Sequence, residues 1–409
     1  MLERIGLLPG GRLAEHLAMT HRVRRRAFLV GLGAVGCLSF AAPARPAHAQ
    51  GATVLVGTRV GANRHGEDVR VKRSVGAPSG YPHRLQAIAV ARMAGAEPAV
   101  VVRGLDDRWH PFEVTANFYG GGTSADNTYV REIYGLPSSV GLDEERRRVA
   151  AMVGGSDAEG AVRASRALAA RILGVEVAEI EPIASSSSRK ADKINVNATL
   201  TEVDGTHGPA SSNDEAFVKG QKTAIEIRRG ALDSTESVAA TLFHEVQHEL
   251  DYELTQRLAD RYEAETRRPF TRGPTFTTWL LKRDAKTLPR ADGELASDIA
   301  DSTNGSTEAT AGVLTFLAAM DAGATAVAAK KLEAYAAALT GVPRVRPQRY
   351  NPPTGPYVIA ALKVELETAY RRMSPDRKRA FDGAFATIKR SYPSAWISGF
   401  DHATAIPRR

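Results

Sequence analysis

Apolar residues recur every three to four positions along 235–266, where Ala239, Phe243, Val246 and Leu250 form one stripe and Thr241, His244, His248, Asp251 and Thr255 share another face. No Gly or Pro interrupts this run before Pro269, and Asp233 and Ser234 both offer an N-cap oxygen. The spacing predicts one long helix from about Thr235 to about Thr266, apolar on one side with a polar seam on the other. Just upstream, Thr-Ala-Ile-Glu-Ile-Arg at 223–228 alternates apolar and polar side chains and is followed by Gly230, which reads as a strand turning into that helix. Residues 195–203 alternate in the same way and predict a neighbouring strand, with a polar loop carrying His207 between the two.

The remainder sorts less sharply. From 52 to 209 the pattern is mixed, with strands expected at 53–56, 98–102 and 109–116 and helices at 85–93, 142–152 and 157–173. Gly120-Gly121-Gly122 and Ser185–Ser188 are loop signals. The triple glycine lacks a following Gly-Lys-Ser and has no dinucleotide-binding spacing, which argues against a phosphate loop. Beyond the long helix the chain reads as mostly helical: 275–283, 307–339 with a break near Gly323, 357–372, and 375–391 with Ser374 as cap and Pro375 in the first turn. The pattern as a whole predicts an α+β fold, with a mixed α/β region over 50–215 and a mostly helical region over 216–409.

Residues 1–49 are set apart by composition. Arg25-Arg26-Ala27-Phe28-Leu29 precedes a short apolar stretch at 30–40, and Ala47-His48-Ala49 before Gln50 is a small-x-small cleavage pattern. This resembles a twin-arginine export signal, which implies delivery of an already folded protein to the periplasm or beyond. Met19 could serve as the start, because the residues before it add nothing such a leader requires. The only cysteine, Cys37, lies inside the leader, so cleavage after Ala49 leaves no thiol for a disulfide; a lipoprotein-type processing site at Cys37 is a weaker alternative, because Ala34 stands where a larger aliphatic residue is usual.

The leader also accounts for most of the +8 net charge, with seven arginines and two acidic residues. The rest of the chain carries 47 basic against 44 acidic side chains. So near-even a balance argues against a nucleic-acid partner, and no apolar run past the leader reaches membrane-spanning length.

Chemistry is written most clearly at His244-Glu245-Val246-Gln247-His248. On a helix a spacing of four puts two imidazoles on one face, about 40° apart around the axis and roughly 6 Å along it, a chelating pair for one divalent cation. Glu245 stands where such helices carry the base that deprotonates water. A strand, a turn and a His-Glu-x-x-His helix resemble the zincin metallopeptidases over roughly residues 220–315. That resemblance implies a small mixed sheet, Zn²⁺ as cofactor, a peptide or protein substrate, and pairing of an extended peptide along the strand before the helix, as a sheet edge.

Two imidazoles do not complete a catalytic zinc site, which takes three protein ligands. The metzincin extension is absent, since position 251 is Asp, position 254 is Leu and the next glycine is Gly273. Asp251 lies about 10 Å along the axis from His244, so it reads as an orienting partner for His248 or as a solvated residue. Glu263 and Glu265 lie further down the same helix and are out of reach. A gluzincin-like site would bring a glutamate from a later helix. Glu308 is preferred because it shares a face with Ala311, Gly312, Thr315 and Ala319, small residues that permit close helix approach and would bury its charge unless it met a cation. Glu294, opening Glu-Leu-Ala-Ser-Asp298, is the second candidate, similar to the Glu-x-x-x-Asp of the thermolysin-like group.

Plainer readings stand beside these. The pentapeptide can be a core helix with two hydrogen-bonded histidines, Glu308 can be a first-turn glutamate favouring its helix N-terminus, and His207 can polarise a substrate carbonyl or merely decorate the surface. The expectation is therefore an exported zinc metallopeptidase with metal ligands His244, His248 and Glu308 and general base Glu245. Its alternatives are a metal-binding or structural protein without activity, or a secreted toxin or wall-active hydrolase on the same scaffold.

Overall fold

The computed structural model describes residues 56–118, 120–122, 130–153, 157–183, 185–197, 205–210, 219–228, 234–271, 276, 279, 304–324, 370–371 and 373–391. The leader, most of the strand expected at 53–56, Glu294, most of 275–283 and the helical run expected over 325–369 lie outside them.

Two sheets and six helices of eight or more residues are found among the described residues. The first sheet contains β1 (Arg59–Ala62), β2 (Asp68–Ser74), β3 (Ala99–Gly104), β4 (Trp109–Val114), β5 (Gly120–Gly122) and β6 (Val130–Gly135), in the order β1-β2-β4-β3-β6-β5. Every neighbouring pair in it is antiparallel. Alternation explains its two buried faces: Val101 points into the main core while Val100 and Val102 point into a second core with Val69, Val71, Phe112, Val114 and Ile133. The sheet curls so that strands near its two ends meet one residue. A Cβ on Gly61 of β1 would stand 2.8 Å from the Phe118 ring, and a Cβ on Gly135 of β6 would collide with the Phe118 carbonyl.

β2 carries only two valines among charged residues, and the glycines of β5 offer no side chains to pattern. This is why neither reads as a strand in sequence, and the loop expected at 120–122 is in fact an edge strand.

The second sheet contains β7 (Ile180–Ile183), β8 (Ile194–Asn197), β9 (Gly205–Pro209) and β10 (Thr223–Arg228), in the order β7-β8-β10-β9. β7, β8 and β10 run parallel, and β9 lies antiparallel to β10, with His207 opposite Ile225. The strand expected next to 223–228 is present at 194–197. The edge assignment needs correction: 223–228 is flanked on both sides, and among the described strands the edge is β9. A polar segment of five residues, Gly-Thr-His-Gly-Pro, has no alternating apolar residues to announce it, and becomes a strand because β10 supplies the backbone partners.

The helices α1 (Arg84–Met93), α2 (Leu142–Val153), α3 (Ala158–Leu173), α4 (Thr235–Thr266), α5 (Asn304–Ala322) and α6 (Pro375–Ser391) supply the rest. α4 spans the predicted range, capped by the Ser234 side chain, which accepts from the Ser237 amide at 3.1 Å. α5 ends at Gly323, whose φ of +83° suits glycine at a helix end, as the expected break requires. The main core draws Ile88 from α1, Ile172 from α3, Ile225 and Ile227 from β10, Leu242 and Val246 from α4, and Phe316 and Met320 from α5. α4 is thus packed between the second sheet, α1 and α5, with almost every residue from Val238 to Gln247 buried. None of the described helices is long and apolar enough to cross a membrane.

Candidate metal centre

The helical spacing brings the two imidazoles of α4 together. Nε2 of His244 and Nε2 of His248 stand 3.1 Å apart, with ring centroids 4.8 Å apart and planes at 81°. Two nitrogens each bonded to one tetrahedral zinc at about 2.0–2.1 Å would stand about 3.3 Å apart, so the donor pair fits that ion in spacing and chemistry. Both rings are only partly covered, whereas Glu245 between them in sequence is buried at 4 % exposure.

β9 lies directly over it. A Cβ on Gly205 would fall 2.6 Å from Cγ and 2.9 Å from Oε1 of Glu245, and 2.8 Å from the carbonyl of Glu226. Only glycine permits this approach of strand to carboxyl. The alternation of β9 then turns Thr206 away from the helix and His207 back towards it.

His207 is therefore not in a polar loop and not a surface residue. Its side chain is 6 % exposed, its ring stacks at 6.4 Å on His248 and meets Tyr252 edge-on at 5.8 Å, and its Nε2 is hydrogen-bonded to Glu249. Burial lowers the His207 pKa despite the opposing pull of Glu249. Burial pushes Glu249 the other way, but hydrogen bonds from His207 and Thr223 hold it below the ordinary glutamate value. The Nε2 atom of His207 is thus engaged by Glu249.

On the far face of the second sheet lies a polar cluster that the sequence did not announce. Glu226 is fully buried and its carboxylate accepts from Asn197 Nδ2 at 2.9 Å, Ser186 Oγ at 3.0 Å and Thr206 Oγ1 at 3.4 Å. The equally buried guanidinium of Arg189 lies 3.7 Å from it and donates to Thr206 Oγ1 at 3.3 Å. A signal existed in principle: a glutamate between two isoleucines of a strand has no solvent on either side if the strand is interior.

The remaining candidates divide. Asp251 is buried at 4 % exposure, which removes the solvated alternative. Glu263 and Glu265 continue α4 as expected, the first paired with Lys219 and the second with Arg261 at 3.1 Å. Glu308 falls in α5, which packs against α4, and Ala311, Thr315 and Ala319 of its face are fully buried; the Glu308 side chain is outside the described residues, as is all of Glu294. Among the described residues no group of three or more His, Cys, Asp or Glu side chains that could hold a metal is found.

Comparison of the chain with protein-family models, with curated proteins and with solved structures finds no match.

Proposed function

We propose that the chain is a zinc-dependent metallohydrolase of the zincin type, gluzincin-like, that cleaves peptide bonds. One observation carries this reading: two imidazole nitrogens converge to 3.1 Å beside a buried glutamate on the same helix. His244 and His248 would hold the zinc, and a carboxylate from a later segment, Glu308 or else Glu294, would complete the protein ligands. Zinc bound there would lower the pKa of a water and polarise the scissile carbonyl.

Glu245 takes the proton of the attacking water and returns it to the leaving amine. Its side chain lies against β9, the strand along which a substrate would run. An extended peptide would align on the outer edge of β9, where no other described strand pairs. Residues 1–49 would direct the folded protein out of the cytoplasm by the twin-arginine route.

The test is elemental analysis of the mature protein purified without chelator, together with hydrolysis of fluorescein-labelled casein by wild type and Glu245→Gln. About one zinc per chain is expected in both proteins, with activity falling by about 10²–10⁴ in the variant. Zinc without Glu245-dependent hydrolysis would favour a metal-binding protein with no activity, and absence of stoichiometric metal would overturn the proposal.

A further inference from the structure

Glu249 follows His248 directly and has no part in the chemistry above, yet it joins the helix to two strands of the second sheet. Both its carboxylate oxygens accept from Thr223 Oγ1, at 2.8 and 3.0 Å, and one also meets His207 Nε2. Thr223 begins β10 and His207 is central in β9, so a single carboxylate on the helix grips two adjacent strands. The next turn reinforces the grip: Tyr252 packs against His207 and its hydroxyl donates to the Gln221 carbonyl at 3.2 Å, just ahead of β10.

The strand so held is the one that most needs holding. As an edge strand, β9 has backbone hydrogen bonds to a described strand on one side alone, and its Gly-Thr-His-Gly-Pro sequence buries no large apolar side chain to anchor it. Its fixed points are side-chain contacts on both faces, Thr206 to Arg189 and Glu226 behind, and His207 to Glu249 in front. Gly205, at the start of the strand, is the residue that lies against Glu245.

We propose that Glu249 is a positioning residue: it ties β9 to the turn of α4 bearing His248, and so fixes the gap in which a peptide extended along β9 meets Glu245. This deepens the metallopeptidase reading and rests on it. A strand already ordered before substrate arrives spares the complex an ordering cost, so loosening β9 weakens binding more than it slows the bond-breaking step.

The experiment compares wild type, Glu249→Ala, Glu249→Gln and His207→Gln by hydrogen exchange, zinc content and casein hydrolysis. In Glu249→Ala the amides of 205–208 are expected to exchange about tenfold faster or more while the core of α4 is unchanged. KM should rise about tenfold with kcat within about threefold, and zinc content should hold. Glu249→Gln keeps an acceptor oxygen and should recover most of the loss; His207→Gln serves the same comparison if the alanine variant does not fold.

Wild-type exchange at 205–208 in Glu249→Ala would overturn the inference while leaving the metallopeptidase reading intact. So would an unchanged KM with a lowered melting temperature, the mark of a merely structural contact. Wild-type protein without Glu245-dependent hydrolysis would instead overturn that reading and the peptide-positioning role with it, and faster exchange would then mark Glu249 as a strand anchor only.

Discussion

Gly205 and Glu245, on different elements and forty residues apart, are so close that a single methyl group on the glycine would stand 2.6 Å from the glutamate Cγ. The carbonyl of Glu226, 2.8 Å from the same point, blocks the other way out. Gly205→Ala must therefore move β9, Glu245 or both. An overpacking cost of about 1–3 kcal/mol is expected in urea denaturation. Hydrolysis should fall by about a hundredfold, since a displacement near 1 Å at a reacting group has that effect. A variant with full activity and unchanged stability would mean that the strand does not press on the carboxyl.

Metal should stabilise the fold through the histidine pair. At free zinc a hundredfold above its Kd, binding to the native state alone adds about 2.7 kcal/mol. The mature protein is expected to melt higher with zinc than after dialysis against 1,10-phenanthroline, and His244→Ala should abolish the difference. The measurement is a thermal melt by circular dichroism, independent of any substrate. An equal zinc-dependent shift in His244→Ala would move the metal elsewhere.

The buried pair behind β9 makes a separate prediction. Glu226 and Arg189 are both almost entirely removed from solvent. Replacing Glu226 by Ala leaves an uncompensated guanidinium and should cost about 3–5 kcal/mol. The double variant Glu226→Leu with Arg189→Met should cost less than the sum of the two single changes, because neither charge is then left alone. Strict additivity in urea denaturation would show that the two do not interact.

Acid should remove a smaller contribution in the first sheet. The Glu113 carboxyl is held below its ordinary value of 4.5, first by the hydrogen bond from Lys72 and next by that from Arg73. The folded form therefore binds the proton less tightly than the unfolded chain. Its stabilisation is complete above the unfolded value and is lost as pH falls through the folded one. Both cations are about half exposed, so Glu113→Gln should lose about 1 kcal/mol or less at pH 7. The gap between variant and parent should narrow as pH falls below 4.5; a gap that stays constant through acid titration would assign the effect to packing.

Much of this protein is determined locally. The bounds of α4 follow from the absence of helix breakers and from the Ser234 cap, and those of α6 from Ser374 and Pro375. That His244 and His248 share one face is likewise a property of one helix, because four residues at 3.6 per turn bring two side chains to the same side. β8 and β10 are legible because each alternates isoleucine or valine with polar residues.

Only tertiary structure decides the rest. That β10 is interior and β9 the edge depends on pairing between segments with no periodic signal, and this alone turns His207 from a loop histidine into a buried ligand of Glu249. The closeness of Gly205 to Glu245, and of Glu226 to Arg189, arises from strands laid against a helix and a turn folded beneath a sheet. Short-range patterning records which face of an element is apolar, but which polar groups meet across elements is set by packing, and no spacing along a single segment encodes it.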